Sequence, residues 1–170
     1  YKIPVPLSVS TTGKLANGKA IAAITINGSS SFSLDIYGEE NEIKDITSVP
    51  VAINVDGLGT DAVKNYKVTI SKPVNVRHMS VKNVTITATF GDEEQKTIEV
   101  NDITPKNLAD GYSANIIGTG NISVQVKGVR SNIEGIQASQ VKPFVDLTGL
   151  GEGTHEVEVK IDNNNPLLNY

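Results

Sequence analysis

Slid along itself by 90 residues, the chain meets a second copy of its own pattern. Gly28 falls on Gly118, Ser33 on Ser123, Gly38 on Gly128, Ile43 on Ile133 and Ile46 on Ile136; Val51 falls on Val141, Val55 on Val145 and Asp56 on Asp146. Apolar positions agree between these identities, with Phe32 on Ile122, Leu34 on Val124 and Ile36 on Val126. After small gaps, Leu58-Gly59 aligns with Leu150-Gly151 and Tyr66–Ile70 with His155–Val159. Self-similarity at a fixed offset means one structural unit used twice. The expected organisation is a complete domain over 1–90, a short polar linker over 91–96 and a second domain over 97–170. The first copy closes with Met79–Phe90, whose Val84, Ile86, Ala88 and Phe90 alternate as in a strand, and the second copy has no counterpart before Tyr170. The second domain is therefore expected to lack its last strand, the chain being cut from a longer protein or the strand coming from elsewhere. Such a domain presents an unpaired edge open to strand addition, and is expected to be the less stable of the two.

Each copy reads as β structure. Alternation of apolar and polar residues, the period of a half-buried strand, recurs in short runs. Examples are Val5-Leu7-Val9, Phe32-Leu34-Ile36, Val49-Val51-Ile53-Val55, Val74-Val76, Ala114-Ile116, Ile122-Val124-Val126 and Val157-Val159-Ile161, each with one residue between its members. Branching at Cβ suits pleated surfaces and crowds helices, and the chain holds 19 Val and 18 Ile against 9 Leu. Turn residues such as Asn17-Gly18, Asn27-Gly28 and Gly118-Thr119-Gly120-Asn121 bound the runs. Single helical turns are expected at Glu40–Ile46 and Asn132–Ile136, where two Ile three residues apart share a face. With only three Phe and five Tyr, the cores must be aliphatic. The predicted fold class is all-β, two small domains in tandem with one helical turn each.

Function classes fall away for want of residues. With no Cys and two His, thiol chemistry, disulfide frameworks and cysteine-ligated metal sites are excluded. A net charge of -4 disfavours nucleic acid. No apolar run reaches the roughly 18–20 residues that span a bilayer as a helix. Asp56 and Asp146 could suggest a carboxylate pair, but each precedes a Gly-containing turn where Asp side chains bind backbone N–H groups, so a structural role is expected. His78 and His155 have no Ser, Cys or acid partner nearby in sequence, which gives no triad. The acidic runs Glu39–Glu42, Asp92–Glu94 and Asp162–Asn165 do not have calcium-loop spacing, and Gly118–Gly120 is too short to cradle phosphate. Asn27, Asn83 and Asn121 head glycosylation-type triplets. No catalytic, cofactor-binding or metal site is expected; the residues that stand out are the repeated ones.

Those residues resemble the YbbR-like domain. Its pattern is an alternating strand, a Gly, an apolar-x-x-apolar turn, a strand ending in Val-Asp, a Leu/Gly turn and a final Val-x-Val. The first copy supplies Ser33–Gly38, Ile43-x-x-Ile46 and Val51–Asp56. The second supplies Ser123–Gly128, Ile133-x-x-Ile136, Val145-Asp146-Leu147-Thr148-Gly149-Leu150 and Gly153–Val159, and is the closer match. The first copy departs after Asp56, with Gly57-Leu58-Gly59, and has Val81 where the family often has Pro. The resemblance implies small domains of short, crossed antiparallel strands, arranged in tandem behind a membrane anchor helix outside this chain. It also implies a noncatalytic extracytoplasmic module of a Gram-positive bacterium, which regulates a membrane diadenylate cyclase, and so cyclic di-AMP synthesis, through protein contact. A cell-wall component is the other partner considered, for an envelope-binding or adhesion module. An RNA-binding role, suggested by fold likeness to ribosome-associated proteins, is disfavoured by the charge.

Overall fold

The computed structural model describes every residue except Thr119, within the Gly118–Asn121 turn, and the chain divides into two units, Tyr1–Glu93 and Glu94–Tyr170. Strands dominate both, as the excess of Val and Ile over Leu requires. The segment read as a linker is mostly strand: Gly91 and Asp92 end one strand, Glu94–Lys96 begin the next, and only Glu93 lies outside.

The first unit starts with β1 (Lys2–Thr12), β2 (Lys19–Ile26) and β3 (Ser33–Tyr37), then a single turn α1 (Glu40–Ile43). It continues with β4 (Val49–Asn54), β5 (Val63–Thr69), β6 (His78–Met79) and β7 (Asn83–Asp92). One sheet has the order β4-β1-β3-β6 and the other β2-β7-β5. β1 serves two partners in succession: Lys2–Pro6 pair antiparallel with β3, and Leu7–Thr12 pair parallel with β4. Its prolines explain the division. The Leu7 N–H donates to Phe32 O on the β3 side, while Thr12 O accepts from Val55 N–H on the β4 side, each at 2.9 Å. Odd positions thus address β3 and even positions β4, and Pro4 and Pro6, without N–H groups, are even. Pairing with β4 begins just beyond them.

In the second sheet β7 is central, paired antiparallel with both β2 and β5. Its Val84, Ile86 and Ala88 are buried, and Ile36, Ile43, Val49, Ile53 and Val55 complete a largely aliphatic core. β2 turns back at Asn27-Gly28, where both residues have positive φ (50° and 83°). Ile26 and Ser29 exchange backbone bonds of 2.8 and 3.0 Å, the two-residue hairpin geometry that Asn-Gly favours.

The second unit comprises β8 (Glu94–Val100), β9 (Thr104–Lys106), β10 (Ile122–Gly128), α2 (Arg130–Ile133), a 3-10 turn (Ala138–Gln140), β11 (Pro143–Asp146) and β12 (Val159–Ile161). β8 pairs antiparallel with β10, as β1 does with β3, and β9 pairs parallel with β11, as β1 does with β4. β12 pairs antiparallel with β11. A buried cluster of Ile98, Val100, Val124, Val126, Ile133 and Val141 forms the core, with Ile122, Ile136, Ile161 and Leu168 against it. The C-terminus joins this unit through Asn169, which exchanges backbone bonds of 2.7 and 2.9 Å with Lys127. His78 holds the same place opposite Tyr37 in the first unit.

Several sequence expectations need correction. The helical turns are shorter than expected, Glu40–Ile43 and Arg130–Ile133, the second beginning two residues before Asn132. In each, the second Ile lies beyond the helix and its N–H closes a tighter turn, Ile46 onto Ile43 O (3.0 Å) and Ile136 onto Ile133 O (3.1 Å). Pairing is not wholly antiparallel, because a period of two does not distinguish the two ladders. The alternating runs at Val74–Val76, Ala114–Ile116 and Val157 are not strands.

Candidate functional site

The repeated residues occupy matching places in the two units. Gly38 ends β3 and Gly128 ends β10, each just before a helical turn whose Ile covers it. A Cβ built on Gly38 would lie 2.9 Å from Asn75 O and 2.9 Å from Ile43 Cγ2; one on Gly128 would lie 3.0 Å from Ile133 Cγ2 and 3.0 Å from Leu167 O. Ile43 and Ile133 are fully buried there, while Gly28 and Gly118 sit in open turns. Gly38→Ala and Gly128→Ala are each expected to destabilise their own unit by about 1–3 kcal/mol, the usual range for overpacking. Urea titration of each variant reads this, and an unchanged midpoint would show that the turn does not press on the strand end.

Both repeated aspartates are held by local bonds. Asp56 Oδ1 accepts from the Lys14 N–H (3.0 Å), tying the end of β4 to the end of β1. Asp146 Oδ1 accepts from the Thr148 hydroxyl (2.6 Å) and N–H (3.1 Å) and from Asn107 Nδ2 (2.9 Å). The Thr148 hydroxyl, then Asn107 and the Thr148 N–H, lower the Asp146 pKa to about 2. An unperturbed Asp titrates near 3.9. A folded-state pKa below the unfolded one gives stability that is present above about pH 4 and lost as pH falls through about 2. Asp146→Asn is expected to flatten the stability change of the second unit across that window. A wild-type and variant acid limb that coincide in unfolding titrations would contradict this.

The other polar candidates are spread apart. His78 packs against the Tyr37 ring, 5.2 Å between centroids, and His155 Nε2 lies 2.9 Å from Gly151 O. Glu39 pairs with Arg77 (3.2 Å), Glu94 with Arg130 (3.0 Å), and Asp92 with Lys19 (2.7 Å), whose hydrogen bond and charge lower the Asp92 pKa. Asp162 pairs with Lys106 (3.1 Å), whose ammonium also lies 3.9 Å from the Phe144 ring centre. Among the described residues no cluster of His, Asp and Glu could hold a metal ion. Lys96, placed by the sequence in a polar linker, instead donates to Glu134 O (3.0 Å) and Ile136 O (2.8 Å) and fixes the chain leaving α2. No pattern in the sequence marks that role.

The second unit offers the largest apolar exposure. Leu108 (39%), Tyr112 (44%), Ile116 (52%), Ile117 (80%) and Val159 (38%) are open to solvent. Beside them is a concavity of about 410 Å³, with Leu108, Tyr112 and Ala114 on one wall and Leu147, Leu150, His155 and Val157 on the other. Grouped apolar exposure of this sort marks contact surfaces. Its walls offer shape and hydrogen bonds, and its chemistry is that of an interface.

Comparison with known proteins agrees with this picture of paired β units. Residues 97–170 match the family described as YbbR-like protein. Over 161 residues the chain is 23% identical to the CdaA regulatory protein CdaR of Bacillus subtilis (strain 168). That alignment takes in 93% of this chain and 32% of CdaR, so the chain spans about a third of the length of the relative it matches. A solution structure of SuR18C from Streptococcus thermophilus is 14% identical, with a TM-score of 0.41, over 54% of this chain and 85% of that one. No helix among the described residues is long and apolar enough to cross a membrane. With the repeated Gly, Ile and Asp positions seated alike in both units, the chain is a YbbR-like domain protein that resembles CdaR.

Proposed function

We infer that the chain is a noncatalytic regulatory module, which acts outside the cytoplasm on a membrane diadenylate cyclase and so on cyclic di-AMP synthesis. The observation that carries this reading is the likeness to the CdaA regulatory protein CdaR along 93% of the chain. The local engagement of Asp56 and Asp146 in backbone-binding turns supports it, since neither carboxylate is arranged for proton transfer. The domain organisation proposed is two YbbR-like units in tandem, tethered to the membrane by an anchor helix outside these residues. Regulation requires that the module bind two states of its target with unequal affinity.

The experiment is a binding measurement between the purified chain and the cyclase reconstituted in vesicles, with empty vesicles and vesicles holding an unrelated membrane protein as controls. Saturable binding to the cyclase vesicles alone supports the reading. Equal retention on all three vesicles, or on none, overturns it. Titration with peptidoglycan fragments separates it from a wall-binding role.

A further inference from the structure

In the first unit β2 and β5 are held in one sheet by the strand between them, β7, which pairs with each. The repeat carries Ile24 and Ile26 of β2 onto Ala114 and Ile116, and Val68 and Ile70 onto Val157 and Val159. The burial of these partners differs sharply. Ile26 and Ile70 are each 4% exposed beside β7, whereas Ile116 is 52% and Val159 38% exposed. Residues 112–117 and 154–158 run without strand assignment, and the 410 Å³ concavity separates their walls where β7 would stand in the first unit.

We propose that this gap receives one extended polypeptide segment, apolar at alternate positions as Val84, Ile86 and Ala88 are, which bonds antiparallel to both walls and completes a three-stranded sheet. Backbone bonding on two sides with side-chain sites at every second residue is the chemistry of strand addition. The walls also specify charge. Where β5 carries Lys67 opposite Thr85 and Thr69 opposite Asn83, the second unit carries the exposed Glu156 and Glu158. Opposite charges on facing strand positions attract, so the incoming segment has Lys or Arg at the two intervening positions that face these glutamates. Its source is a segment outside these 170 residues. A second copy would have to strip β7 from its own sheet, where Val84, Ile86 and Ala88 are buried. The inference stands apart from the regulatory reading, since its test uses no cyclase.

The test adds to the chain a synthetic peptide with the sequence of Val81–Asp92 carrying Asn83→Lys and Thr85→Lys, and follows amide exchange by mass spectrometry. Exchange across 112–117 and 153–159 is expected to slow by about tenfold or more. A peptide with Ile86→Asp and Ala88→Asp in addition should leave it unchanged, and one with Glu in place of the two Lys should bind more weakly at low salt. A second variant removes dependence on concentration. Asn169 stands opposite Lys127 as His78 stands opposite Tyr37, so Ser80–Asp92, with the same two substitutions, is appended after Tyr170 in matching register. Unaltered exchange in both experiments overturns the proposal, as does equal protection by the Asp-substituted peptide. A peptide-free dimer that already protects these segments overturns it in favour of a second copy.

Discussion

Gly13→Ala is expected to cost the first unit about 2–5 kcal/mol, combining a left-handed backbone penalty with overpacking. Gly13 has φ +87°, and a Cβ there would lie 2.5 Å from Asp56 Cβ and 2.8 Å from both Asp56 Cα and N. The neighbour is largely backbone, fixed by the Lys14 N–H bond to Asp56 Oδ1 and by the Gly57 N–H bond to Lys14 O (2.8 Å). It has little room to withdraw. Gly28→Ala is the control, because φ is +83° there and nothing lies within 4 Å of the added carbon. It should cost only the conformational part, about 1–2 kcal/mol. Equal losses in the two variants would show that β1 and the Asp56 turn do not approach as described.

Ile86→Ala should be comparably damaging, at about 2–5 kcal/mol, the range for truncating a buried Ile. Ile86 is fully buried on the central strand, opposite Ile26 of β2 and Tyr66 of β5. Removing its side chain opens a void that both flanking strands line, and they can close on it only by giving up register with β7. Amide exchange within β2 and β5 should accelerate together with that of β7. Acceleration confined to β7 would mean that β2 and β5 hold without it, which would also weaken the case for a missing central strand in the second unit.

Much of the architecture is legible in the residues. Phe32-Leu34-Ile36 and Ile122-Val124-Val126 alternate because one face of each strand meets a core, and the single Ile43 and Ile133 turns follow from spacing alone. What escapes is pairing at a distance. The alternation of Val5-Leu7-Val9 does not reveal that β1 changes partners at Leu7, although Pro4 and Pro6 hold the clue in their missing N–H groups. Ala114-Ile116 and Val157-Val159 carry strand periodicity but lack the neighbouring strand that would give it form, since a strand is stabilised by the ladder it joins. Among the functional candidates, the turn role of Asp56 and Asp146 is readable from the glycines beside them. Gly13 and Lys96 are not, because the backbone oxygens and the Asp56 turn they meet lie about 40 residues away.

The central claim is that this protein adjusts the output of a cyclase by touching it. Its most direct test removes these 170 residues from the protein that carries them in a bacterium making cyclic di-AMP, keeps the remainder at the membrane, and quantifies the nucleotide by mass spectrometry. The account predicts a change of about fivefold or more, the lower end of ordinary coupling between sites. A cyclic di-AMP level that stays the same across growth conditions, with the shortened protein present in normal amount, would contradict it.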